Sequence, residues 1–407
     1  PMIPEAPCSC VGPYTAGADP RIVNRLTIPD RPFLEADVMP SAADSTTNFS
    51  FAQARGFIGD LTQPNPTIYW IDFLVSILTG HVALHLLFFL PRWYPWSAGM
   101  TAAMIACYVI TVIAYMRALM FIHELVHLPK GKFKGFRFAW NALCGIFFLV
   151  PSFLYYPHVD HHRRKHYGTQ RDGEYLPLSH QSRWMIVGFI LQALVIPFLG
   201  LARFLLISPI CWFVPGARRW VHRHASTMLV DPFYERNDAS PSLMRIVVIQ
   251  EFFVFLWCVW FLIRGGLMRG EWLDPFWLVA YAVGVGVLVL NELRTLGAHR
   301  WTNKDESEMT FEEQLLDTLN YPYRPWFTEL WGPIGTRYHA LHHLFPSLPY
   351  HNLGEAHRRL AEGLPKDSPY HKTTAISLTR EIFKLWKRAT DSRKPAASFS
   401  PSRAGAA

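Results

Sequence analysis

Two stretches of the chain, residues 67–91 and 97–122, are apolar almost without interruption, and each carries a single charge, Asp72 and Arg117. A helix needs roughly 20 such residues to cross the hydrocarbon layer of a bilayer, so both predict membrane-spanning helices. Residues 247–263 and 276–293 are shorter apolar runs that span when tilted or flanked by anchors. Four spans are therefore expected, and two ambiguous segments set six as the upper count. Residues 141–156 are short, and residues 184–214 are interrupted by Pro197, Gly200 and Pro209 and carry Arg203. Backbone polar groups in lipid must be satisfied internally, which leaves helices for all of these runs. The expected fold is an all-α integral membrane protein of about four transmembrane helices under a cytoplasmic helical cap.

Composition agrees with that reading. Half of the 407 residues are hydrophobic and 15% are aromatic, more than a soluble domain of this size carries. The formal charge is +8, and its distribution is informative. Lys130, Lys132, Lys134 and Arg137 follow the second span and Arg163, Arg164 and Lys165 come soon after, whereas the turn between the first two spans holds only Arg92. Lys and Arg favour the cytoplasmic face, which places these segments there. The basic residues are scattered among apolar anchors, so nucleic-acid binding is not expected. Cys107, Cys144, Cys211 and Cys258 lie in apolar runs and read as small core residues, and Cys8 and Cys10 are too close for an ordinary disulfide. The opening PMIPEAP lacks a charged segment followed by an apolar one, so the first span is expected to act as the targeting signal. The expected organisation is an N-terminal cytoplasmic arm over 1–65, a membrane catalytic domain over 66–387, and a Ser-, Ala- and Pro-rich disordered tail over 388–407.

Candidate chemistry lies in the histidines. His123 and His127 form HELVH, His158, His161 and His162 form HVDHH, and His339, His342 and His343 form HALHH. On a helix, offsets of three and four place side chains on one face, so each cluster aims imidazoles at a common point. His299, directly after the last span, falls at the same membrane boundary. Nine neutral imidazoles exceed one metal ion and suit two, with four or five ligands each and an open position for a small molecule. If the clusters share a site they share a membrane side, which requires an even number of crossings between them. The spans at 247 and 276 then form a hairpin, and the segments at 141 and 184 lie in the interface. Glu124, Asp160, Asp172, Glu174 and Glu292 are near enough in sequence to orient ligating rings, and His166 is a candidate proton carrier one turn after His162. His81 and His85 sit inside the first span, where they line a channel, bind a haem or, more simply, hydrogen-bond within the bundle.

Imidazole alone does not choose among iron, copper and zinc. The order HxxxH, HxxHH and HxxHH, together with HLFPSLPYHNL after the third cluster, resembles the membrane fatty acid desaturase and hydroxylase superfamily over roughly residues 65–360. The resemblance implies a non-haem di-iron centre with O2 as co-substrate. Its ligands would be His123, His127, His158, His161, His162, His299, His339, His342 and His343. Some members carry an Asn four residues before the extra histidine, whereas this chain has Thr295 there and Asn291 a turn further back. The implied activity is desaturation of a lipid acyl chain, with hydroxylation or oxygenation of a carotenoid or sterol as alternatives on the same scaffold. No CxxC pair, GxGxxG fingerprint or His-Pro-Gly-Gly segment supplies electrons, so a separate ferredoxin or cytochrome is the expected donor, docking on the basic face.

Two readings from other classes compete. HELVH also fits HExxH, the zinc motif of an intramembrane metalloprotease with Glu124 as general base, but that leaves seven of the nine histidines unused. A metal carrier or channel spaces its ligands along a path, whereas these converge on one membrane face.

Overall fold

The computed structural model describes residues 49–389 apart from Lys130, Leu229 and Leu273. The expectations for Cys8, Cys10, Lys130, most of the N-terminal arm and nearly all of the tail lie outside the described residues. Secondary structure among the described residues is helical, with only isolated β-bridges beside it. After the short α1 (Phe51–Ile58) come two long helices, α2 (Pro66–Trp93) and α3 (Ala98–His127). Both start where the sequence supplies a cap: the Asn65 side chain accepts from Thr67 N ahead of Pro66, and Ser97 accepts from Met100 N. They pack along their length because Gly80 lets the Tyr115 ring lie against the α2 backbone. His81 Nδ1 meets the Tyr115 hydroxyl at 2.5 Å and His85 Nδ1 meets the His81 carbonyl at 2.7 Å, the hydrogen bonding within the bundle expected for this pair.

The middle of the chain is a series of short helices: α4 (Lys134–Trp140), α5 (His158–His161), α6 (Arg183–Leu191), α7 (Ile196–Ala202), α8 (Ser208–Phe213) and α9 (Pro215–His224). Residues 141–156 do not form a span; a wide helical turn at Asn141–Gly145 gives way to irregular chain and a tight turn at Ser152–Tyr155. The 184–214 segment contains a helix from Ile196 to Phe213, continuous through a wide turn at Arg203–Ile207. Its buried Arg203 donates to Glu251 at 2.5 Å and to the Ala225 carbonyl at 2.9 Å, so the charge that made this segment doubtful is paired inside the protein.

Two further long helices follow, α10 (Pro241–Arg269) and α11 (Phe276–Ala298), then α12 (Phe311–Asp317), α13 (Pro325–Trp331), α14 (His339–Leu344), α15 (Leu353–Gly363) and α16 (Leu378–Arg388). Five helices are thus long and apolar enough to cross a membrane, against the four expected, the additional one being 196–213. The buried core runs from α2 and α3 into the helices after α11, joining Phe73, Tyr115 and Phe121 to Leu341, Phe345 and Leu353. At the end of the bundle Arg117 donates to both oxygens of Asp72 at 2.6 and 2.5 Å and to Glu329 at 2.8 Å, and the Tyr350 hydroxyl donates to Asp72 at 2.8 Å. One ion-paired network thereby ties α2, α3, α13 and the loop beyond α14, and holds the ends of the long helices against the short ones.

Candidate metal centre

The last two turns of α3 present His123 and His127 on one face, as their spacing of four requires, with ring centroids 5.5 Å apart. The short α5 carries His158 and His161, and His162 follows at its C-terminus. His299 ends α11 in extended backbone, bridged to Thr318. Asn320 accepts from Leu341 N and so pins the first turn of α14, which carries His339, His342 and His343. Four elements far apart in sequence are brought to one place.

There the nine imidazoles divide into two groups. His123, His127, His158, His162 and His342 form one, and His161, His299, His339 and His343 the other, with the ligand atoms of each within 4.8 Å of one another. Their Nε2 atoms point inward: His158 to His162 is 3.0 Å, His127 to His342 is 3.2 Å, His299 to His339 is 2.9 Å and His339 to His343 is 3.0 Å. The groups abut, since the rings of His162 and His343 stack at 4.2 Å.

Burial pushes His158, His162, His339, His342 and His343 well below the usual 6.5, and their imidazole neighbours push in the same direction. Burial also lowers His299, although Asp317 opposes it. His161 differs: burial pulls it down, but the carboxylates of Asp172, Glu174 and Asp317 together outweigh burial and raise it. Neutral rings with their Nε2 atoms gathered in this way present lone pairs to one another. Among the described residues both ring nitrogens of His123 and the Nδ1 atoms of His339 and His342 lack a hydrogen-bond partner despite being buried. Buried polar atoms are rarely left so. Two sets of nitrogens, five and four, fit two first-row metal ions.

A further ring of contacts sets which nitrogen faces inward. His158 Nδ1 meets Glu174 Oε1 at 2.8 Å, and His161 Nδ1 meets the two Asp172 oxygens at 2.9 and 2.8 Å. The Tyr167 hydroxyl donates to Asp317 Oδ2 at 2.7 Å and takes the His299 Nδ1 proton at 2.8 Å. Each carboxylate or hydroxyl selects the Nδ1–H tautomer and leaves the Nε2 lone pair free to ligate. Burial pushes the Glu174 carboxyl up to about 7 against the pull of His161 and Arg294. Asp317 stays below its ordinary value in spite of burial because His299 lies 3.6 Å away and the Thr302 backbone N–H and hydroxyl donate to it.

Of the residues that nearness in sequence suggested, Asp172 and Glu174 contact the gathered rings, and the structure places the four others elsewhere. Glu124 projects away from the cluster and accepts from the Tyr69 hydroxyl at 2.5 Å and Tyr350 N at 3.2 Å. Asp160 is held by Arg163 at 2.5 Å, and His166 faces Asp160 at 3.5 Å rather than the gathered histidines. Glu292 accepts from Gln192 at 3.0 Å. Sequence reasoning missed Tyr167 and Asp317, since a chain of contacts from 167 to 299 to 317 leaves no signature in local spacing. Thr295 and Asn291, discussed above for their register with His299, both accept from Arg294.

Comparison with known proteins agrees with this geometry. The fatty acid desaturase family matches residues 100–374, which include all three histidine clusters and His299. A curated relative, the ceramide hydroxylase of Caulobacter vibrioides (strain NA1000 / CB15N), is 36% identical over 350 residues, 83% of this chain and 93% of the relative. No solved structure matches. The chain belongs to the fatty acid desaturase family and is a membrane oxidoreductase of the desaturase and hydroxylase kind.

Proposed function

We propose that this protein hydroxylates the alkyl part of a ceramide or a closely related lipid, with two irons held by the nine histidines. The observation that carries the substrate is the 36% identity to a ceramide hydroxylase across nearly the full length of both chains. The balance is R–H, O2, two electrons and two protons giving R–OH and water. The five-histidine group would hold one iron and the four-histidine group the other, the smaller set leaving room for a small molecule. When bound, such a pair activates O2 to take hydrogen from an unactivated C–H bond. The chain's own part is to keep the rings neutral by burial, which also keeps water away, and to keep them aimed through Glu174, Asp172 and the Tyr167–Asp317 pair. Desaturation, the outcome first read from the sequence, is the second reading. It differs in the step after the first hydrogen is taken, where a second hydrogen leaves the adjacent carbon instead of a hydroxyl joining the first, and family membership supports it equally.

Touching histidines from segments on either side of 196–213 must share a membrane side. With 241–268 and 276–298 crossing as a pair, 196–213 then lies in the membrane without traversing it. The exposed Lys132, Lys134 and Lys165 suit an acidic ferredoxin or cytochrome and fit a cytoplasmic orientation of this face. Mass spectrometry of total lipids from a host expressing the chain, beside His161→Ala, tests the activity. A ceramide gaining 16 mass units only with the native chain supports hydroxylation; a loss of 2 units establishes the second reading instead.

A further inference from the structure

An open cleft of about 340 Å3 lies where the first span begins, between the first turns of α2 and of α4. Pro66, Trp70, Phe133, Gly135 and Phe136 line it together with Lys132, the one charged residue among the described lining. The backbone of the linker shapes this hollow. Gly131 and Phe133 both take left-handed φ values, 90° and 56°, and the second is a conformation that an aromatic residue seldom adopts. The Phe133 ring lies 5.0 Å from Tyr69, and Trp70 meets Phe136 edge to face at 5.1 Å, so the walls come from two different elements. Arg137 secures the linker by donating to the carbonyls of Lys132 at 3.2 Å and Leu128 at 2.9 Å. Gly135 keeps the cleft open: the nearest atom that a Cβ there would meet is Trp70 Cζ2, at 3.9 Å, so a longer side chain would occupy the space.

Position, lining and charge together identify what covers the cleft. Ile71 and Phe138, close in sequence to lining residues, are 60% and 76% exposed, and apolar side chains bared at the start of a span are covered by lipid. Ligand sites are mostly apolar hollows of this order with a few placed polar groups. Here the polar group is Lys132, with the exposed Lys134 two residues on and no acidic residue among the described lining. Basic pockets beside membrane helices take anionic head groups. The occupant is not the molecule that is oxidised. Phe136 packs inward on Tyr69 and Phe121, at 5.9 and 5.4 Å, and this buried aromatic layer stands between the cleft and the turn of α3 that carries His123.

We propose that this cleft binds an anionic phospholipid, with part of one acyl chain against Trp70, Phe133 and Phe136 and the phosphate at Lys132. The lipid acts as a brace. It presses on Phe133 and through that ring on Tyr69, whose hydroxyl donates to Glu124, the residue after His123. Lys132 then serves the lipid, and Lys134 and Lys165 remain for the electron donor.

Full-length native protein, Lys132→Gln and Gly135→Leu are purified in detergent, stripped of lipid and titrated with dioleoyl phosphatidylglycerol or dioleoyl phosphatidylcholine. Retention is read by native mass spectrometry and stability by thermal unfolding. The native protein is expected to retain its first phosphatidylglycerol about fivefold more strongly than phosphatidylcholine and to melt at a higher temperature with it. Lys132→Gln abolishes that preference and leaves phosphatidylcholine unchanged. Gly135→Leu, which fills the cleft, lowers retention of both lipids and removes the thermal gain. Native retention in both variants overturns the proposal, and so, when both fold, does a loss in only one of them. If Gly135→Leu does not fold, Lys132→Gln decides, because it keeps the carbonyl to which Arg137 donates. Oleate or N-acyl sphinganine held in preference to the phospholipid, and lost with Gly135→Leu, overturns the choice of occupant.

Discussion

Asp172 makes the strongest single claim among the residues around the histidines, because its carboxylate takes both short contacts from His161 and raises that ring above its neighbours. Asp172→Asn keeps the shape and removes the charge, so iron affinity is expected to fall about 10- to 100-fold, read as iron retained against chelators of graded strength. Glu124→Gln, by contrast, is expected to keep its iron, because Glu124 serves Tyr69 and Tyr350; the cost is about 1–2 kcal/mol of stability, measured by thermal unfolding in detergent. A zinc protease would lose its activity with the same change. Acid acts on the five strongly lowered histidines together. Their unfolded forms take up protons near pH 6.5 while the folded forms resist, so stability is full above that value and is lost as pH falls below it. Iron release and unfolding are therefore expected to rise together between about pH 6.5 and 5, followed by absorbance and light scattering. Spacing alone revealed the histidines themselves, because offsets of three and four are a local code. The partners of their outer nitrogens were half legible: Asp172 and Glu174 lie in the loop after α5, but Asp317 reaches His299 through Tyr167, a residue 150 positions from Asp317.

Among the elements, α2 and α3 were readable from their apolar length, and their mutual packing was not. That packing turns on Gly80, where an added Cβ would fall 2.4 Å from the Tyr115 ring. Gly80→Val is expected to part the two helices and lower stability by about 1–3 kcal/mol, visible as a lower melting temperature in detergent. His81 would lose its contact with the Tyr115 hydroxyl as the ring moved. The helix from Ile196 to Phe213 was the hardest element to read. Pro197 falls at the start of this helix, where a missing N–H costs little, and Pro209 follows directly on the wide turn at Arg203–Ile207, so they interrupt the pattern without stopping the helix. Arg203 finds Glu251 on α10, a partner that hydropathy could not foresee.

On the scale of the whole molecule, the requirement that all nine histidines meet constrains the topology more tightly than any hydropathy profile. Single cysteines placed at Lys132, Lys165 and Lys366, on the loops after α3, α5 and α15, are expected to react with an impermeant maleimide from one and the same side of sealed vesicles. Labelling of Lys132 and Lys366 from opposite sides would mean that 196–213 traverses after all. The helices that carry the nine imidazoles come from four separate parts of the chain, and what they share at their meeting point is a set of nitrogen lone pairs 2.9–3.2 Å apart. Such an arrangement has no reason to persist without cations at its centre. A chain made in iron-starved cells would carry its long helices into the membrane and leave the ends loose, open to the proteases that clear unfinished membrane proteins. Its abundance would then report cellular iron before any change in transcription did, and the lipid it modifies would follow.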